Sequence, residues 1–109
     1  MSEKKISRSK ALELIDQKIS GFQSLLKEAT RENKYGEDYT LLYGSTEDLL
    51  TELYSEKEVV NFRSNVTLPA IIADEETIQE YREFQDYKDH IQRCIAQLKV
   101  YRERIQKRL

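Results

Sequence analysis

Four carboxylates, Glu76, Glu80, Glu83 and Asp86, step three and four residues along the chain, the spacing at which a helix stacks side chains on one face. Paired with a second acidic set on a facing helix, they would hold magnesium in the manner of helical nucleotide hydrolases. The first long helix supplies no conforming pair on its inward stripe, so these acids read as a solvated face. His90 and Cys94 lie one helical turn apart, within reach of a nucleophile and its base. The thiol, however, falls among Ile91, Ile95 and Leu98, where it acts as a small hydrophobe. The chain has a single His, which leaves no second imidazole to share a metal, and His90 reads as a rim residue beside the apolar stripe. The three glycines, Gly21, Gly36 and Gly44, form no phosphate loop. The expectation is a non-enzymatic protein with no cofactor and no metal.

Two other groups of residues point to binding. Arg93, Lys99, Arg102, Arg104, Lys107 and Arg108 concentrate positive charge near the C-terminal end, and Tyr101 stands among them where it could stack a base. These cations lie around several faces of a helix and also complement its dipole, and the whole chain carries a net charge of −2. Nucleic-acid binding, or a phage-type inhibitor using the same basic helix, is therefore the alternative reading. Seven tyrosines and no tryptophan occur, and Tyr35, Tyr39 and Tyr43 follow one another at four-residue steps. Tyrosine suits half-buried boundaries, its ring packed and its hydroxyl wet. Tyr35, Tyr39, Tyr43, Arg102, Arg104 and Arg108 are the candidate partner-contact residues.

The elements that must carry these groups are helices. Hydrophobic residues make up 39% of the 109 and charged residues 35%, with three Gly and one Pro, a composition that favours long helices in one domain spanning 1–109. Leu12, Ile15, Ile19, Phe22, Leu26 and Ala29 follow a 3-4 ladder, which predicts a helix over about 8–33 with Ser7 as its N-cap and residues 33–36 as its stop. Phe84, Tyr87, Ile91, Cys94, Leu98, Tyr101 and Ile105 repeat the spacing and predict a second long helix over about 75–108, capped at Asp74. Between them, Gly44-Ser45-Thr46-Glu47-Asp48 reads as a capping start for a short helix through Leu49, Leu50, Leu53 and Tyr54. Residues 59–72, rich in β-branched side chains and containing Pro69, read as an irregular crossover with room for a short extended or helical piece.

Each long helix has an apolar seam that must be covered, and an antiparallel pair with the middle helix in its open side covers both. The expected fold is all-α: an elongated antiparallel helical bundle. Antiparallel pairing sets the basic residues 91–109, six Lys/Arg against one acid, beside basic Lys4, Lys5, Arg8 and Lys10. That repulsion calls for an acidic counter-surface, sought in residues 35–60 or 73–90 of a second copy, and predicts a homodimer through leftover seam, coiled-coil in style. No apolar run approaches the ~18 residues of a membrane span, the N-terminal residues lack the apolar stretch of a secretory signal, and a lone cysteine suits a reducing compartment. A cytoplasmic location and no membrane partner are expected.

The run Tyr39-Thr-Leu-Leu-Tyr-Gly-Ser-Thr-Glu-Asp-Leu-Leu-Thr-Glu-Leu-Tyr54, then Val59-Val-Asn-Phe62 and the late helix over 87–105, resembles the helical region that precedes effector domains, TIR-like nucleotide-binding domains among them, in prokaryotic sensing and defence proteins. Tyr39 stands where a tryptophan is common in that pattern. The resemblance implies an oligomerising or partner-sensing regulatory module and carries no catalytic residue with it.

Overall fold

A computed structural model of the chain describes residues 6–68 and 76–107, with side chains in the last helix from Arg82 onward. It is all-α. Four helices follow in order: α1 Arg8–Lys27, α2 Glu37–Leu53, α3 Glu56–Val66 and α4 Glu76–Lys107.

α1 starts as its sequence requires, with the Ser7 hydroxyl accepting from the Lys10 amide at 3.1 Å. It stops at Lys27, short of the expected 33. The Thr30 backbone amide donates to Asn33 Oδ1 at 2.7 Å, the Asn33 backbone amide to Thr30 Oγ1 at 3.1 Å, and the Asn33 side-chain amide to the Glu28 carbonyl at 2.9 Å. Such local side-chain bonds offer the backbone a turn in place of another helical one.

α2 begins at Glu37, seven residues ahead of the cap expected around Gly44-Ser45. Gly36 occupies the N-cap without a side-chain bond, and Glu37 and Asp38 place negative charge on the positive end of the helix. Ser45 is instead a mid-helix residue: its hydroxyl donates to the Leu42 carbonyl at 3.0 Å and accepts from Lys18 of α1 at 2.9 Å. Gly44 has open space where a Cβ would stand, and its backbone is not in the left-handed region. Gly44→Ala therefore raises stability by about 0.5–1 kcal/mol, read as a higher urea midpoint.

The segment expected to be an irregular crossover contains α3. Its β-branched residues conceal a helical face, Val59, Phe62 and Val66, all buried. Residues 69–72 of the expected crossover lie outside the described residues, as do Lys4, Lys5, Asp74 and Arg108.

Packing follows from paired contacts. Asp16 meets Arg102, while Leu25 and Glu28 share a cleft with Tyr87, so α1 and α4 run antiparallel. Lys18 with Ser45, and Gly21 with Leu42, set α2 antiparallel to α1; a Cβ on Gly21 would stand 3.0 Å from Leu42 Cδ2. Glu58 with Tyr101, Asn65 with Gln97 and Val66 with His90 set α3 antiparallel to α4. The result is an up-down-up-down bundle, α2 and α3 together flanking the long pair, with α2 and α4 diagonal to one another. Its extents are 55 × 25 × 25 Å, the long one matching 32 residues of α4 at ~1.5 Å each.

Ile15, Phe22, Leu50, Phe62, Ile91, Leu98 and Ile105 fill the centre. Leu12 and Leu26, expected at the core, are only partly buried against it. The described seams are covered within the chain, and the large apolar residues standing exposed, Tyr35, Leu41, Val60 and Val100, belong to four different segments. Among the described residues no helix is long and apolar enough to cross a membrane.

Candidate functional site

Among the described residues, two cations of the basic C-terminal segment, Arg102 and Arg104, meet acids of the same chain. Arg102 makes a two-pronged pair with Asp16, 2.6 and 3.4 Å, and Arg104 lies 3.7 Å from Glu58 and over the Tyr101 ring. Glu58 also accepts the Tyr101 hydroxyl at 2.8 Å, and Arg63 grips Glu47 in α2. These acids come from α1, α2 and α3, so a second copy is not needed to supply them. Asp16 holds Arg102 above its ordinary pKa by hydrogen bond and charge. Both side chains are partly exposed, Arg102 at 36% and Asp16 at 49%, and such solvent-screened pairs contribute little. Arg102→Ala accordingly leaves the urea midpoint unchanged within error.

Two of the four acids of the ladder, Glu83 and Asp86, have described side chains. Glu83 is exposed and Asp86 half-buried, the Glu76 and Glu80 side chains lie outside those described, and among the described residues no three His, Cys, Asp or Glu side chains gather around a common point.

The tyrosines converge instead. α2 presents Tyr39 and Tyr43 one turn apart on the face turned towards α4, and α4 answers with Tyr87, His90 and Cys94. His90, expected at the rim, is 8% exposed and lies among the rings of Tyr35, Tyr39 and Tyr43 at centroid distances of 6.2, 5.6 and 5.7 Å. Its Nδ1 stands 2.8 Å from the carbonyl of Val66, the last residue of α3. A carbonyl only accepts, so Nδ1 carries the proton and caps one of the carbonyls that a helix end leaves open. In the neutral ring Nε2 is then an acceptor, and the Tyr39 hydroxyl donates to it at 2.7 Å. One side chain thus ties α4 to both α2 and α3.

Burial sets the electrostatics. Desolvation lowers the His90 pKa against a partly compensating bond from the Val66 carbonyl, so the ring is neutral at pH 7. Burial pushes the Cys94 thiol up to about 12, so the sulfur stays protonated at neutral pH although it lies 3.9 Å from His90 Nε2. Tyr43 is pushed up to about 12, and Tyr35, Tyr39, Tyr87 and Tyr101 are raised as well, each first by burial. An acid whose pKa rises on folding contributes stability that is intact below its unfolded pKa and lost above it. The urea midpoint therefore falls as pH passes upward from about 9 towards about 11, where the unfolded chain ionises its thiol and phenols first.

Tyr35 closes the cluster from outside. It is the described non-glycine residue with positive φ, 55°, in the turn between α1 and α2. Its ring is 47% exposed, yet it rests edge-on against Tyr87 at 4.7 Å and Tyr39 at 5.2 Å. Beside it, Leu25, Glu28, Asn33, Asp38, Tyr39 and Tyr87 border a shallow cleft of about 220 Å³.

Of the six candidate contact residues, the fold thus gathers Tyr35, Tyr39 and Tyr43 at one place, holds Arg102 and Arg104 in pairs at the other end, and leaves Arg108 outside the described residues. Sequence reasoning singled out neither Tyr87, Phe62 nor the Val66 carbonyl for this site. The available signal was His90 standing one helical turn beyond Tyr87 and one before Cys94, on the same face. No known protein family, curated protein or solved structure matches the chain.

Proposed function

We propose that the chain is a non-enzymatic helical interaction module whose contact surface is the tyrosine-bearing end, centred on Tyr35. The observation that carries this reading is a large aromatic ring, half exposed, held in a left-handed backbone that costs a non-glycine residue about 1–2 kcal/mol. The ring is pinned by Tyr39 and Tyr87, so little side-chain freedom remains to be lost on binding. Aromatic anchors of this kind dominate protein interfaces. The likeness of residues 39–54 to helical regions preceding effector domains is the ground for adding a regulatory, defence-related role, and the lone reduced cysteine is the ground for a cytoplasmic setting. A homodimer through this same end is the simplest form of the interaction.

The test is Tyr35→Asn, because asparagine tolerates positive φ and keeps the turn. Native chain and variant are compared by sedimentation equilibrium and by affinity capture from native lysate, with circular dichroism confirming equal helix content. A dimer or a stoichiometric protein partner that the native chain holds and the variant loses is the expected result. Identical mass and identical captured proteins for both chains would refute the assignment of Tyr35.

A further inference from the structure

We infer that His90 is a proton-operated latch: taking up one proton at Nε2 breaks the tie between α4 and α2 and opens the tyrosine cluster at this end of the bundle. The argument is a count of donors and acceptors. In the neutral cluster Nδ1–H donates to the Val66 carbonyl and the Tyr39 hydroxyl donates to Nε2, so each polar atom has a partner of the right kind. A second ring proton turns Nε2 into a donor aimed at the Tyr39 oxygen. The Tyr39 hydroxyl hydrogen must then turn away from Nε2, out of the bond that joins the two side chains, while the Tyr39 ring stays packed against those of Tyr43 and Tyr87. The proton leaves three donors, Nδ1–H, Nε2–H and the Tyr39 O–H, for the two oxygens bonded at the ring, the Val66 carbonyl and the Tyr39 oxygen.

The charged and titratable groups around the site do not rescue the cation. α2 and the preceding turn contribute the neutral phenols Tyr35, Tyr39 and Tyr43; α3 contributes the Val66 carbonyl, with Arg63 directed to Glu47 beyond Tyr43. α4 contributes Tyr87, Cys94 and the cation Arg93, which disfavours a second positive charge, while Asp86 and Glu83 act on Tyr35, and α1 brings Glu28 to the cleft that Tyr39 and Tyr87 border. Relief comes by moving Tyr39 outward, and Tyr35, which leans on it, moves with it. α1 and the C-terminal half of α4 are tied by the Asp16–Arg102 pair, remote from His90, and stay in place.

The chain has a single histidine, so one imidazole signal reports the titration in the NMR spectrum without assignment. In the native chain its midpoint lies below the ordinary ~6.5, and amide exchange across residues 30–40 quickens with that same midpoint while residues 98–105 keep their protection. A midpoint at or above ~6.5 overturns the latch. So does protonation without faster exchange at 30–40, and so does simultaneous loss of protection in both segments, which would be ordinary acid unfolding. Tyr39→Phe serves as the second arm: with the donor to Nε2 gone, the midpoint rises relative to the native chain and exchange across 30–40 no longer follows it. An unchanged midpoint in that variant likewise refutes the mechanism. None of these readouts involves a partner, so the latch stands or falls apart from the interface assigned to Tyr35.

Discussion

Phe62→Ala lowers the free energy of unfolding by about 3–5 kcal/mol, a large share of the ~5–15 kcal/mol expected for a domain of this size. Phe62 is fully buried, and its ring lies 5.8 Å from Tyr43 of α2 and 6.4 Å from Tyr101 of α4. Truncation leaves a void between three helices whose backbones are held apart by other side chains, so collapse fills little of it. α3 has only 11 residues and cannot hold helical structure by propensity alone. Its loss of packing should therefore appear as a drop in helical circular dichroism before the main urea transition, as well as a lower midpoint. A change under 1 kcal/mol would mean that α3 does not belong to the core.

His90→Ala costs about 2–4 kcal/mol at neutral pH, from the cavity and from two polar groups, the Tyr39 hydroxyl and the Val66 carbonyl, left without partners. The pH dependence separates this from any other core truncation. The folded ring has a lowered pKa and the unfolded ring its ordinary ~6.5, so between the two values the unfolded state binds more protons. Native stability is therefore full above about 6.5 and falls as pH drops through that value to the folded midpoint. The alanine variant lacks this contribution, and the gap between the two proteins narrows on acidification. Urea midpoints of both chains at about pH 7.5 and about pH 5 measure it; parallel curves would show that His90 is not the titrating group.

Where the sequence was legible, the reason is burial at helical period. The ladder from Tyr87 to Ile105 predicted α4 to within a residue or so at each end, because six inward positions repeat without interruption and both ends carry charges suited to the dipole. The start of α1 at Ser7 was equally plain, since capping is a local bond between neighbours. Its end was misjudged because Ala29 continues the apolar ladder, while the Thr30 and Asn33 side chains take each other's backbone amides out of the helical pattern. α2 was started too late because Gly44-Ser45 has the composition of a cap; Glu37 and Asp38, which begin the helix, carry no apolar signal. α3 was hidden by residue type. Valine, asparagine and serine have modest helix propensity, and only packing of Val59, Phe62 and Val66 against α2 and α4 makes the helical state the favourable one.

The site divides along the same line. Four-residue steps of tyrosine fixed that Tyr39 and Tyr43 share a face, but a one-dimensional pattern carries no record of what lies opposite that face. Sequence alone determined an all-helical chain with two long apolar stripes, one neutral small thiol on a stripe, and alternating blocks of charge. Only the tertiary structure decided that His90 is central and neutral, that Arg102 and Arg104 find their acids within the same chain, and that Tyr35 is held half out of the core. Helix formation and seam placement depend on residues three and four apart, whereas the state of a buried ring or an ion pair is set by groups such as Val66 and Asp16, which lie 24 and 86 residues from their partners.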